Sequence, residues 1–205
     1  MPRRATRRRP GGPVTGPAGR PGWGPALSCR ELGPGSRGDP GVSPRDTQRA
    51  RVYAAEEFVR TLFDRAAQHN SRAIDFFGES ITVPPEARFG SVDAVGRYVD
   101  AVLDLPAVAA QWPGCGRIAV RARRGATAAH YERREAGAVI AVPAQRGWAL
   151  RELVVLHEVA HHLDRSGGSA HGPGFVGTFC ALAAAVMGPE AGHVLRVVYA
   201  KEGVR

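Results

Sequence analysis

Five consecutive residues, His157-Glu158-Val159-Ala160-His161, hold the densest chemical potential in this sequence. Positions four apart lie on one face of an α-helix, one turn from each other. Two imidazoles at that spacing can converge on a single Zn²⁺ with bonds of ~2.0–2.1 Å. Glu158 lies about 100° around the helix from His157. It can reach a water on such a metal without being placed as a ligand. The chemistry on offer is hydrolysis, with Glu158 as general base beside a water whose pKa the metal lowers to about 7. With 7 His and 11 Glu in 205 residues, chance supplies this pattern only about 0.013 times per chain, a base rate that favours function.

A catalytic zinc needs three protein ligands and one open position. His171 is the expected third ligand, giving one Zn²⁺ per chain held by His157, His161 and His171. It follows His161 by ten residues, across Gly167-Gly168. The other candidates are Glu190, His193, His162 and Asp164. Glu190 follows Pro189 at the start of a helix, where the helix dipole already accounts for an acidic residue. His162 points about 100° away from His161 and reads as a packing residue. Asp164 shares the face of His157 and His161 and reads either as an ordinary residue of the helix's last turn or as a partner behind a ligand. Tyr131, Arg133, Arg134 and Tyr199 could steady an oxyanion, but each reads first as a structural or surface residue.

The elements that must position these groups follow from hydrophobic period and punctuation. The spacing predicts a helix over 46–68, with Arg49, Glu56, Arg60 and Asp64 as charges between its apolar positions. A short strand over 76–83 ends at Pro84-Pro85. Ser91 caps a helix over 92–105, and 106–116 reads as a loop. Three strands are expected at 117–123, 127–133 and 138–142, punctuated at Gly125 and Gly137 as by hairpin turns. The helix over 149–164 is apolar nearly all round, as a buried central helix is. Helices over 174–187 and 189–202 complete an α+β fold: helices around a small, mainly antiparallel sheet of about four strands. Strand 138–142 is expected at the sheet edge, where it could align an extended peptide. Cys180 reads as a small core hydrophobe, and Cys115, between two glycines, as an exposed thiol.

The run His157-Glu158-Val159-Ala160-His161-His162, with His171-Gly172-Pro173-Gly174-Phe175 after it, resembles the zincin metallopeptidases. Within them it is similar to SprT-like and other minimal zincins, in which H-E-x-x-H is followed by H-G-x-x-F/W. Residues 45–200 also resemble a family of metallohydrolases from high-GC bacteria. The resemblance implies a zincin-like fold, zinc and a peptide or protein substrate. The sequence departs from the metzincins, which need Gly where Asp164 stands and a ligand where Gly167 stands. It also lacks the cysteine-rich zinc ribbon often found in SprT-like proteins.

Composition bounds the rest. Residues 1–51 carry eleven basic and three acidic side chains, and residues 52–205 seventeen and sixteen. The net charge of +9 thus belongs to the N-terminal tail, and a folded surface built to track a phosphate backbone is not expected. Residues 1–44 hold ten Gly and nine Pro; they read as a disordered tail, the one place a nucleic acid could bind. Residues 45–205 are expected to form a zincin-like metallohydrolase domain. The chain has no apolar run long enough for a membrane span and no secretory leader. Three well-separated cysteines fit a reducing cytoplasm. Two other readings use the same motif: a non-catalytic zinc-stabilised module binding protein or nucleic acid, and a zinc hydrolase of a non-peptide amide.

Overall fold

The computed structural model describes residues 45–124, 128–143 and 147–205; the expected tail over 1–44 lies outside them. The described chain is α+β, with six helices and two small sheets. Helix α1, Arg49–Gln68, buries Val52, Ala55, Val59, Leu62, Phe63 and Ala66. Helix α2, Val92–Asp104, begins where expected: the Ser91 hydroxyl accepts from the Ala94 amide at 3.1 Å, which satisfies one of the four unpaired donors of a helix start. The stretch after it is not wholly a loop. Pro106 opens a short helix α3, Pro106–Gln111, because its fixed φ and missing N–H suit a first helical position.

The strands depart furthest from expectation. The single strand over 76–83 is a hairpin, β1 Ala73–Phe76 and β2 Glu79–Thr82, paired antiparallel. Its turn puts Phe77 at φ 56° and Gly78 at φ 89°. Glycine tolerates that region, but a bulky phenylalanine there is uncommon and gives no turn signal in the sequence. Strands β3 Ile118–Arg123, β4 His130–Arg134 and β5 Gly137–Pro143 form a second sheet in the order β3-β5-β4. Gly137 does turn β4 into an antiparallel β5, but β3 and β5 run parallel, so no hairpin joins β3 to β4. Burial explains the order. Ile140, Ala141 and Val142 of β5 are fully buried and need a neighbour on each side. The polar β4, His-Tyr-Glu-Arg-Arg, suits an edge. The strand expected at the edge, 138–142, is therefore the central one, and β4 takes the edge.

Helix α4, Glu152–Leu163, has eleven of its twelve residues buried, as its all-round apolar character requires. Its start is held by side chains. Glu86 accepts from the Leu153 amide at 3.1 Å, and Glu152 accepts from the Ala87 amide at 2.8 Å and the Tyr98 hydroxyl at 2.5 Å. Arg151, 4 % exposed, forks onto Glu86 at 2.5 and 2.8 Å and also reaches Asp64 at 3.2 Å. A buried guanidinium needs such paired acceptors to offset its lost hydration.

Helices α5, Pro173–Val186, and α6, Pro189–Lys201, pack closely on each other. A Cβ on Gly192 would stand 2.6 Å from Ala184 Cβ and 2.7 Å from the Cys180 carbonyl oxygen. Gly192→Val should therefore force the two helices apart and destabilise the fold by roughly 1–3 kcal/mol, the usual range for overpacking. A urea midpoint unchanged from the parent would show that the contact yields freely. Cys180 is buried, as expected, and burial pushes its thiol up to about 12. Among the described residues no helix is long and apolar enough to cross a membrane.

Candidate metal centre

His157 and His161 meet from successive turns of α4, with their Nε2 atoms 3.2 Å apart. His171 arrives from the loop between α4 and α5, and ligand atoms of all three lie within 4.8 Å of one another. Tetrahedral bonds of ~2.0–2.1 Å place ligand nitrogens roughly 3.4 Å apart. The first pair already stands near that spacing, and the trio as a whole is somewhat wider. Phe175, fully buried, floors the cluster, with its ring centroid 4.8, 4.4 and 5.0 Å from those of His157, His161 and His171.

Two carboxylates hold the outer ring nitrogens, and both come from the start of the domain. Glu56 Oε1 lies 2.8 Å from His157 Nδ1, and Asp46 Oδ2 lies 2.5 Å from His171 Nδ1. A carboxylate at Nδ1 keeps the proton there and leaves Nε2 its lone pair. Asp46 does a second job: its Oδ1 accepts from the Gln48 and Arg49 amides at 3.3 and 3.1 Å, capping α1. Glu56 also accepts from the Tyr199 hydroxyl at 2.8 Å. Gln48 ties the His171 carbonyl (3.2 Å) to the C-terminal Arg205, whose carbonyl and amide it meets at 2.8 and 2.7 Å.

The electrostatics favour a bound cation. His171 Nε2 is buried and has no hydrogen-bond partner among the described residues. Such an orphan lone pair is costly unless something electropositive takes it, and a metal ion fits that need. Burial, with the neighbouring His157 and His171, pushes His161 down to about 2, so it stays a neutral donor. Burial also holds His171 below its ordinary value, against the opposing pull of Asp46. Burial pulls His157 down too, but the Glu56 carboxylate more than offsets this, and the net shift is upward. Glu56 is held below the usual carboxylate range: its own burial is outweighed by His157, Tyr199 and Arg60.

Glu158 is buried, and desolvation raises its carboxyl above the ordinary value, against the lowering effect of His157 and the Tyr131 backbone amide. With the three histidines it lines one cleft of about 670 Å³. A carboxylate raised in this way beside a candidate metal is the usual setting of a general base.

The other sequence candidates lie elsewhere. Asp164 Oδ1 accepts from the Ser166 amide at 2.9 Å and shapes the turn rather than backing a ligand. Glu190 is exposed in the first turn of α6, and His193 is exposed with its ring edge toward Phe76. His162 packs as expected, with Nε2 2.9 Å from the Gly116 carbonyl and Nδ1 3.1 Å from the Tyr131 hydroxyl. That contact turns the Tyr131 hydroxyl toward His162, although its ring lies along the cleft beside His161. Tyr199 is buried and serves Glu56. Arg133 borders a separate cleft beside Cys115, and Arg134 pairs with Glu132. Cys115 is half-buried, with Arg165 Nη2 3.0 Å from its sulfur.

Sequence reasoning missed α1 as part of the site. Asp46, Arg49, Tyr53, Glu56 and Arg60 recur at spacings of three and four, a polar stripe along one face. Glu56 reads as a solvent-facing charge, yet it is 6 % exposed. The stripe was the available signal, since random surface charges need not keep helical register.

No family model matches this chain, and no curated protein or solved structure matches it.

Proposed function

We propose that the chain is a zinc-dependent hydrolase of the zincin type, most simply a metallopeptidase. The observation that carries this reading is the buried His157–His161–His171 trio, with an orphaned Nε2, opening onto the same cleft as Glu158. Zn²⁺ held by these three nitrogens would supply Lewis acidity, polarising a carbonyl and acidifying water. Glu158 would take the proton of the attacking water and return it to the leaving nitrogen. The Asp46 and Glu56 carboxylates keep His171 and His157 aimed inward while this happens. The edge strand β4 supports a peptide substrate: His130 and Tyr131, at its start, line the cleft, where an extended chain could add alongside it.

A purely structural zinc would be closed by four protein ligands. The trio contains no fourth His, Cys, Asp or Glu among the described residues, and it faces a cleft. Both features favour a reacting site.

The test is digestion of a peptide library by the full chain loaded with one equivalent of zinc, with cleavage products read by mass spectrometry. New termini that vanish with a chelator are the expected result. Uncut peptides from fully loaded protein would overturn the peptidase assignment.

A further inference from the structure

The cleft beside the three histidines is lined by two arginines that the hydrolytic chemistry does not use. Its only carboxylates among the described residues are Asp46 and Glu158. Asp46 is held by His171 and the start of α1, and Glu158 is the candidate base. Arg49 and Arg123 line the same space. Among the described residues neither arginine has a carboxylate within ion-pair distance, although Arg60, Arg88, Arg117, Arg121, Arg134 and Arg151 each have one. Two guanidinium groups of the cleft are thus left without a carboxylate of their own among the described residues.

Both guanidinium groups have a defined place. Arg49, in the first turn of α1, lies over the Tyr53 ring at 5.4 Å. Tyr53 in turn stacks on His157 at 5.8 Å and sets its edge against His171 at 5.2 Å. A cation resting on a ring that itself rests on two candidate ligands is kept beside the reacting centre. Arg123 ends β3. The register pairs Arg123 with Pro143 and His130 with Ala141, so Arg123 stands at the end of the sheet where the cleft-lining edge strand begins. Its Nη1 lies 3.5 Å from the Ala128 carbonyl, a long contact and the one hydrogen bond of this guanidinium among the described residues. A guanidinium presents five donors in a planar fork that matches a carboxylate.

We propose that Arg49 and Arg123 form an anion-binding subsite of the cleft, which takes a carboxylate of the substrate. This rests on the hydrolase reading and names its substrate class: peptides with an acidic side chain, or the C-terminal carboxylate itself, next to the bond that is cut.

Binding rather than turnover tests it. The full chain carrying Glu158→Gln, with one equivalent of zinc, is titrated with fluorescein-labelled octapeptide pools and followed by anisotropy. The pools carry an internal Glu or Gln, each with a free or an amidated C-terminus. The expected result is about tenfold tighter binding of a carboxylate-bearing pool than of its neutral counterpart, equivalent to about 1.4 kcal/mol. The Glu/Gln comparison and the acid/amide comparison identify which carboxylate is read. Arg49→Gln with Arg123→Gln should erase the gap and leave the neutral pool within about twofold, whereas Arg49→Lys with Arg123→Lys should keep much of it. Equal binding of all pools, a gap that survives the Gln pair, or no binding by any pool overturns the subsite. Failure of the hydrolase reading looks different: the preference would persist while the unsubstituted, zinc-loaded chain leaves every pool uncut.

Discussion

Glu158→Gln should keep one equivalent of zinc and lower kcat by about 10²–10⁴-fold, the range over which a positioned general base contributes. The amide has nearly the shape of the carboxylate and cannot accept the proton. Glu158 is not one of the three histidines that could hold the metal, so the metal should stay. The carboxyl is buried in the cleft wall, and desolvation raises it above its ordinary value. Such a shift makes it a stronger base than an exposed glutamate, at the cost of burying a charge. Metal content and turnover measured on one sample separate the outcomes. Full turnover removes Glu158 from the chemistry. Loss of zinc makes it a ligand or a support for the ligands.

Legibility differed sharply between the site and its surroundings. His157 and His161 were readable because their spacing is local and set by helix geometry alone. His171 was readable by elimination, since a histidine between Ala170 and Gly172 after a Gly-Gly turn has no ordinary packing role. Helix α2 was readable down to its Ser91 cap, because capping is also local. The carboxylates were not. Glu56 precedes His157 by 101 residues and Asp46 precedes His171 by 125; nothing near either one indicates an imidazole. The β3-β5-β4 order was hidden for a similar reason. Strand periodicity reports which face is buried and is silent on which strand lies beside which. The Phe77 turn was missed because it uses a residue that turn chemistry disfavours. Local rules thus located the histidines that could hold a metal, and long-range packing decided what holds them.

Metal binding should be inseparable from the stability of the domain. The trio joins α4 to the loop before α5, while Glu56 and Asp46 tie α1 to the same cluster. A ligand that binds only the folded state stabilises it by RT ln(1 + [L]/Kd), about 4 kcal/mol at a thousandfold excess over Kd. Zinc should therefore raise the melting midpoint by roughly 8–16 °C, taking 2–4 °C per kcal/mol for a domain of this size. His171→Ala should abolish the shift by removing a ligand. Glu56→Gln should shrink it, because loss of a carboxylate behind a ligating histidine weakens metal binding about 10–100-fold. Glu190→Ala should leave it whole, since that side chain is exposed on the first turn of α6. Differential scanning calorimetry without zinc and with free zinc held about a thousandfold above the Kd of the parent chain, paired with equilibrium dialysis, reads all three variants. A full zinc-dependent shift in His171→Ala, or its loss in Glu190→Ala, would move the third ligand to α6 and leave the orphaned Nε2 of His171 without an explanation.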